Sequence, residues 1–190
     1  MFILASASPR RRALLTSAGV SFTVIPADTD ETWLPGELPR AYVLRVARAK
    51  ASAVAAHYSE SLKSGARVLA ADTTVAIDDR VLGKPVDAQH AAAMLGDLSG
   101  REHHVHTAVV LRDGRHETHR IVTTRVRFRK LGLGDIQRYI DTGEPFDKAG
   151  GYGIQGEGGA LVEVVHGSYT NVVGLPLLET LRLLGLTEPR

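Results

Sequence analysis

Short apolar runs alternate along the chain with amphipathic stretches and turn-forming clusters. Phe2–Ala5 is a short apolar run and predicts a buried strand. Ser8 suits an N-cap and Pro9 the first helical position, so a helix is expected to about Ala18, with Gly19 as its stop. "SFTVIPA" predicts a second strand, and "DTDETWLPGELP" an acidic loop broken by Pro and Gly. A long helix is expected from about Pro39 to Tyr58, with Val43, Val46, Ala47 and Val54 as its apolar stripe. "ARVLAAD" is almost continuously apolar, which predicts a strand buried on both faces and ending at Asp72. "TTVAI-DD-RVL" then reads as a hairpin.

Asp87 predicts the cap of a helix running to about Leu98. "HHVHTAVVLRDGRHETHRIVTTRVRFR" predicts a long hairpin turning near Asp113 and Gly114. "GDIQRYIDTG" predicts a short helix capped by Asp135 and stopped by Gly143, and "EPFDKAGGYGIQGEGG" a long glycine-rich loop. "ALVEVV" reads as a strand. "NVVGLPLLETLRLLG" reads as a strand end, a turn and a last helix from Pro176. Strands and helices alternate with antiparallel hairpins inserted, so the class is α/β: a mixed sheet flanked by helices. No repeat or low-complexity stretch divides the chain, which predicts one domain, with room for two lobes around a cleft.

Composition narrows the classes. There is no cysteine among the 190 residues, so disulfides, thiolate metal sites and cysteine nucleophiles are excluded. Lys+Arg is 23 against Asp+Glu 21, a net charge of only +2, and no basic run interleaves with aromatics. Nucleic-acid binding is therefore not expected, and anions must be held by local clusters. The apolar start lacks a charged leader and no apolar run reaches membrane-spanning length, so the expected setting is cytoplasmic, with no membrane partner.

Candidate chemistry begins at "SPRRR". A helix N-terminus carries about half a positive charge, so Arg10, Arg11 and Arg12 sit where cations are least favoured. A bound phosphate chain would reverse that sign. A plain Ser-Pro cap with solvated arginines explains the same residues. Lys50 falls on the apolar stripe of its helix, four residues before Val54. It either snorkels to water or points a cation into a cleft. Asp72, at the expected strand end, can activate water, hold a metal or cap a turn. Glu31 is a possible second carboxylate, although a solvated acidic loop is the simpler reading.

Lys84 and Lys148 stand in turns beside glycine or proline; each alone reads as surface, and together with Arg10, Arg11 and Lys50 they suffice to neutralise a triphosphate. "GYGIQG" has the spacing of a dinucleotide-binding turn but lacks the preceding strand and following helix, so it reads as a loop closing on a ligand. His103, His104, His106, His116 and His119 match no zinc spacing and read as strand residues. Ser6 and Ser8 lack a nucleophile-elbow context. Tyr152 and Trp33 suit either packing or stacking on a base.

"LASASPRRRALL", "DET", "LAADTTVAIDDRVLGKP", "AAAMLGDLSGREHHVHTAV", "EPFDKAGGYGIQG" and "GSYTNVVGLPL" together resemble the Maf family, in order, from residue 3 to about residue 181. The resemblance implies a twisted mixed sheet similar to that of inosine triphosphate pyrophosphatases, with two lobes around a cleft, and a homodimer. It implies a nucleoside triphosphate pyrophosphatase that needs a divalent metal, Mg²⁺ or Mn²⁺, and cleaves between the α and β phosphates. The family's catalytic aspartate falls on Asp72, and its phosphate and metal contacts on Ser8, Arg11, Glu31, Lys50, Lys84, Lys148 and Gln155. Arg10, Thr73 and Gln155 resemble the branch acting on dTTP and UTP, whereas a branch acting on 7-methyl-GTP carries tryptophan in place of Arg10. A nucleotide-binding regulator of cell division, acting through a protein partner, is the alternative from another class.

Overall fold

The computed structural model describes residues 1–58, 65–114 and 116–186. It opens with strand β1 (Phe2–Ala5), helix α1 (Pro9–Ser17), strand β2 (Phe22–Val24) and helix α2 (Pro39–His57). Strands β3 (Arg67–Ile77) and β4 (Arg80–Leu82) follow, then helix α3 (Ala88–Leu98) and the long hairpin β5 (Glu102–Asp113) and β6 (His116–Phe128). Helix α4 (Leu133–Asp141) leads into three short 3₁₀ turns between Glu144 and Leu161. Strand β7 (Val162–His166) and helices α5 (Tyr169–Val173) and α6 (Leu177–Leu184) complete the fold. The seven strands form one mixed sheet in the order β2-β1-β3-β5-β6-β7, with β4 also on β3. Among the described residues only β1 makes parallel pairs, with β2 and β3. Among the described residues no helix is long and apolar enough to cross a membrane.

Alternation of side chains explains the layers. On one face α2 lays Val43, Ala47, Ala51 and Val54 over Ile3, Val68, Ala70, Ala108 and Val110. On the other face Leu15 of α1 and Leu181 and Leu184 of α6 cover Leu4, Leu69, Ala71 and Val109. Further along that face Leu95 and Leu98 of α3 and Ile136 and Ile140 of α4 cover Val75, Ile77, Val105 and Phe128. Each such fully buried aliphatic side chain contributes about 1.5–3 kcal/mol of transfer free energy.

Three expectations are corrected. Strand β3 does not end at Asp72 but runs through it to Ile77, because Thr73, Thr74, Val75 and Ile77 all favour extended backbone. Its turn comes at Asp78 and Asp79, whose φ of 49° and 61° are those of a two-residue hairpin. Asp135 is not the cap of α4. The helix starts at Leu133 after Gly132, and Asp135 reaches back to accept a bond from the Gly132 amide at 3.0 Å. "NVV" is no strand end; it lies in α5, capped by Ser168, whose hydroxyl accepts from the Asn171 amide at 3.1 Å.

The sheet leaves one gap that positions everything below. Pairing of β1 with β3 stops at Ala5 opposite Ala70. Pairing of β4 with the same edge of β3 starts at Leu82 opposite Val75. Residues 71–74 therefore have β5 on one edge and, among the described residues, no strand on the other.

Candidate active site

A cavity of about 510 Å³ opens over this gap. Asp72 and Thr73 are adjacent on its floor and point to opposite faces of the sheet. On the α2 side, Lys50 comes inward from the apolar stripe instead of snorkelling. Its Nζ donates to Asp72 Oδ1 at 2.7 Å and meets Glu31 Oε1 at 2.7 Å. Lys50 is 8% exposed and Asp72 5%, so this is a buried ion pair. Glu31 is nearly half exposed, and its backbone carbonyl accepts from the Tyr42 hydroxyl at 3.0 Å, which fixes the acidic loop against α2.

On the other face stands the first turn of α1. Ser8 caps it, its Oγ accepting from the Arg11 amide at 3.4 Å. Arg11 is buried, and three of its N–H groups go to the protein. Nε donates to Gly174 O at 2.8 Å, Nη1 to Ser6 Oγ at 3.1 Å and Nη2 to Thr73 Oγ1 at 3.0 Å. Burial pulls the Arg11 pKa down, and the nearby Asp72 carboxylate opposes that pull. Arg10 lies half-buried on the cavity wall and pairs with Asp147 at 3.3 Å.

The glycine-rich segment forms the opposite wall. The Gly150 amide donates to Gly83 O at 3.0 Å, tying the segment to the end of β4. At Gly150 φ is +71°, and a Cβ would lie 2.8 Å from Val75, so only glycine fits. The Tyr139 hydroxyl accepts from the Gly153 amide at 3.0 Å. The Glu144 carboxylate accepts from the amides of Glu157 at 3.0 Å and Gly158 at 3.4 Å. Together these contacts present Lys148 and Gln155 to the cavity. Lys148 Nζ donates to Glu144 O at 2.7 Å and to Asp147 Oδ1 at 2.5 Å. Lys84 and Gln155 are exposed and line the same cavity.

The structure thus brings Ser8, Arg10, Arg11, Glu31, Lys50, Asp72, Thr73, Lys84, Lys148 and Gln155 around one cavity. It leaves Trp33 outside, exposed and bonded to Glu37 O at 2.8 Å. Tyr152 lines the cavity while its ring packs edge-on against Phe128 and His103, and its hydroxyl meets His103 Nε2 at 2.8 Å. Burial pushes the pKa of His103 down to about 3 and that of His106 to about 4. Among the described residues, no three His, Cys, Asp or Glu side chains gather as a metal cluster. Sequence reasoning missed Ser6, Glu144 and Asp147 as parts of the site. In sequence Ser6 offers only a hydroxyl without a nucleophile-elbow context, and Glu144 spends its carboxylate on backbone amides 13 and 14 residues further on.

Cations on two walls, a capped helix start and two carboxylates on one lysine suit a phosphate-rich ligand with a counter-ion. Fold and site together therefore define an α/β protein with a charged cleft set in a gap of its sheet. The chain belongs to the Maf-like protein family, whose pattern matches residues 1–186. It is 56% identical over 184 residues to a dTTP/UTP pyrophosphatase of Myxococcus xanthus (strain DK1622), covering 97% of this chain and 91% of that one. A dTTP/UTP pyrophosphatase of Anaeromyxobacter dehalogenans (strain 2CP-1) is 54% identical over 186 residues, 96% and 91% of the two chains. One from Methylobacillus flagellatus is 50% identical over 183 residues, 95% and 89%.

Proposed function

We propose that this chain is a nucleoside triphosphate pyrophosphatase that hydrolyses dTTP and UTP to the monophosphate and pyrophosphate. The observation that carries the reading is the buried Lys50–Asp72 pair, with Glu31 on the same ammonium, at the floor of a cavity walled by cations. The names of the relatives support the substrate.

In this reading the triphosphate lies over the first turn of α1. Arg10, Lys84 and Lys148 offset its charge, and Arg11, with two N–H groups left over from its protein contacts, adds to them. A water attacks the α phosphorus in line, its proton passes to the Asp72 carboxylate, and the bond from that phosphorus to the bridging oxygen breaks. The electron pair leaves with pyrophosphate, whose new charge the same cations hold. Lys50 keeps the Asp72 carboxylate in place by the 2.7 Å bond. Gln155 offers an acceptor and a donor pair to the pyrimidine edge.

The residues present fit a divalent cation. Glu31 and Asp72 both meet the Lys50 ammonium at 2.7 Å, which brings two carboxylates close together beside the cavity, and Mg²⁺ or Mn²⁺ needs only one or two carboxylates when substrate phosphates and water complete its shell. Such an ion would supply charge neutralisation and a more acidic bound water. A cytoplasmic homodimer belongs to the same reading, and sedimentation of the purified protein tests the dimer.

Incubation with dTTP or UTP and Mg²⁺ or Mn²⁺ should release the monophosphate and pyrophosphate. Orthophosphate released from the γ position, or tight nucleotide binding with no turnover under either metal, contradicts the reading.

A further inference from the structure

Gln155 reaches the cavity from a segment that lies outside every α-helix and strand. Two side chains from the preceding part of the chain hold that segment. Tyr139 of α4 is buried in the core beside Ile136 and Ile140, and its hydroxyl accepts from the Gly153 amide at 3.0 Å. Glu144 is half-buried; its Oε1 accepts from the Glu157 amide at 3.0 Å and its Oε2 from the Gly158 amide at 3.4 Å. In each of these bonds the donor is a backbone N–H, so its direction is fixed. Gln155 stands between the held residues. The contact is close. A Cβ at Gly156 would lie 2.3 Å from Glu144 Oε1, and one at Gly158 would lie 2.6 Å from the Tyr139 hydroxyl. The chain passes over both groups because those positions are glycine.

Glu144 has a second hold on the cavity. Its main-chain carbonyl accepts from Lys148 Nζ at 2.7 Å. One residue thus holds Lys148 by its backbone and the Gln155 turn by its carboxylate. A substitution of the side chain alters the second hold and keeps the carbonyl of the first.

We propose that Glu144, together with the Tyr139 hydroxyl, is a positioning residue that sets where Gln155 meets the base. Its carboxylate acts on the backbone, not on the substrate. The kinetic part of this proposal rests on the pyrophosphatase reading; the structural part does not. Charge and position predict opposite signs here. Glu144 borders the cavity, so neutralising it would by itself strengthen attraction of a triphosphate and lower KM. Loss of position raises KM.

Two measurements test it. Glu144→Gln keeps the size but replaces one acceptor oxygen by an NH₂ group, which cannot accept from a backbone N–H. The first measurement is residue-resolved hydrogen exchange of the free protein, with no nucleotide present. Glu144→Gln should speed exchange at Glu157 and Gly158, and Tyr139→Phe at Gly153, with residues 6–12 on the facing wall as in the wild type. Unchanged exchange at Glu157 and Gly158 overturns the proposal whether or not the wild type hydrolyses dTTP. An equal rise at residues 6–12 reports general loosening and overturns it too.

The second measurement is steady-state kinetics with dTTP. Glu144→Gln should lower kcat/KM roughly 2- to 10-fold, the worth of one hydrogen bond to the base, mostly through KM. In a Gln155→Ala background the same substitution should add no further loss. A lowered KM in Glu144→Gln, or losses that multiply in the double variant, overturns the proposal. Should Glu144→Gln fail to fold, the same exchange and kinetic comparisons with Tyr139→Phe decide. Failure of wild-type turnover would count against the pyrophosphatase reading and leave the exchange result to judge Glu144.

Discussion

Lys50 holds two carboxylates on one ammonium, and two of the three partners are buried. Removing one member of a buried pair leaves an uncompensated charge, which costs about 3–5 kcal/mol. Lys50→Met should therefore lower the urea midpoint markedly as well as abolish turnover; unchanged stability would deny that the pair is buried in solution. The Arg10–Asp147 pair is exposed, and its loss should cost at most about 1 kcal/mol. Asp72→Asn keeps the shape but cannot take a proton from water, so kcat should fall about 10²–10⁴-fold while nucleotide still binds. Near-normal turnover in that variant would sink the assignment of Asp72. The buried histidines set a pH window. Unfolded histidine titrates near 6.5, whereas His103 and His106 stay neutral in the fold down to about 3 and 4. Between these values the unfolded chain binds more protons, so stability falls on acidification and is unaffected above about pH 6.5. Urea unfolding between pH 5 and 6.5, above the main carboxylate range, should show this slope, and His106→Gln should reduce it.

Among the elements, the glycine-rich wall is the most constrained. Gly150→Ala adds a methyl 2.8 Å from a buried valine at a φ of +71°, so strain and overlap combine. We expect a loss of about 1–3 kcal/mol in thermal unfolding and a raised KM as the wall moves off the gap; wild-type values for both would show that β3 yields there. Periodicity made α2 legible from its stripe, and the same stripe exposed Lys50 as a cation out of place. The turn residues made both hairpins legible. In sequence Asp72 reads as a strand end because an acid after an apolar run usually leaves the sheet; here the missing neighbour on one edge gives it a cavity instead. Helix α5 has five residues, too few to display a period, so its cap was the only available signal. The partners of Arg11 were beyond reach for another reason: Gly174 is 163 residues away, and no local pattern encodes such a contact.

For the whole molecule, a net charge of +2 is matched by a nearly balanced cavity, which Arg10, Arg11, Lys50, Lys84 and Lys148 border together with Glu31, Asp72, Glu144 and Asp147, so in the proposed reading a polyanion is held by close contacts to the cations. Attraction of a polyanion should then be screened by salt, raising KM with ionic strength while kcat changes little; a KM indifferent to salt would argue against the cations as substrate contacts. The gap that houses the site has its own arithmetic. Four residues of β3, Ala71 to Thr74, lie between the last rung with β1 and the first with β4. The two rungs are thus five steps apart, and at about 3.3 Å per residue that is a mouth of about 16 Å. Strand β4 stops where it does because the Gly83 carbonyl is taken by the Gly150 amide and Pro85 has no N–H to give. The opening is thus a ruler graduated in residues: two more rungs on β4 would shorten it by about 7 Å, with no change to the apolar layers behind.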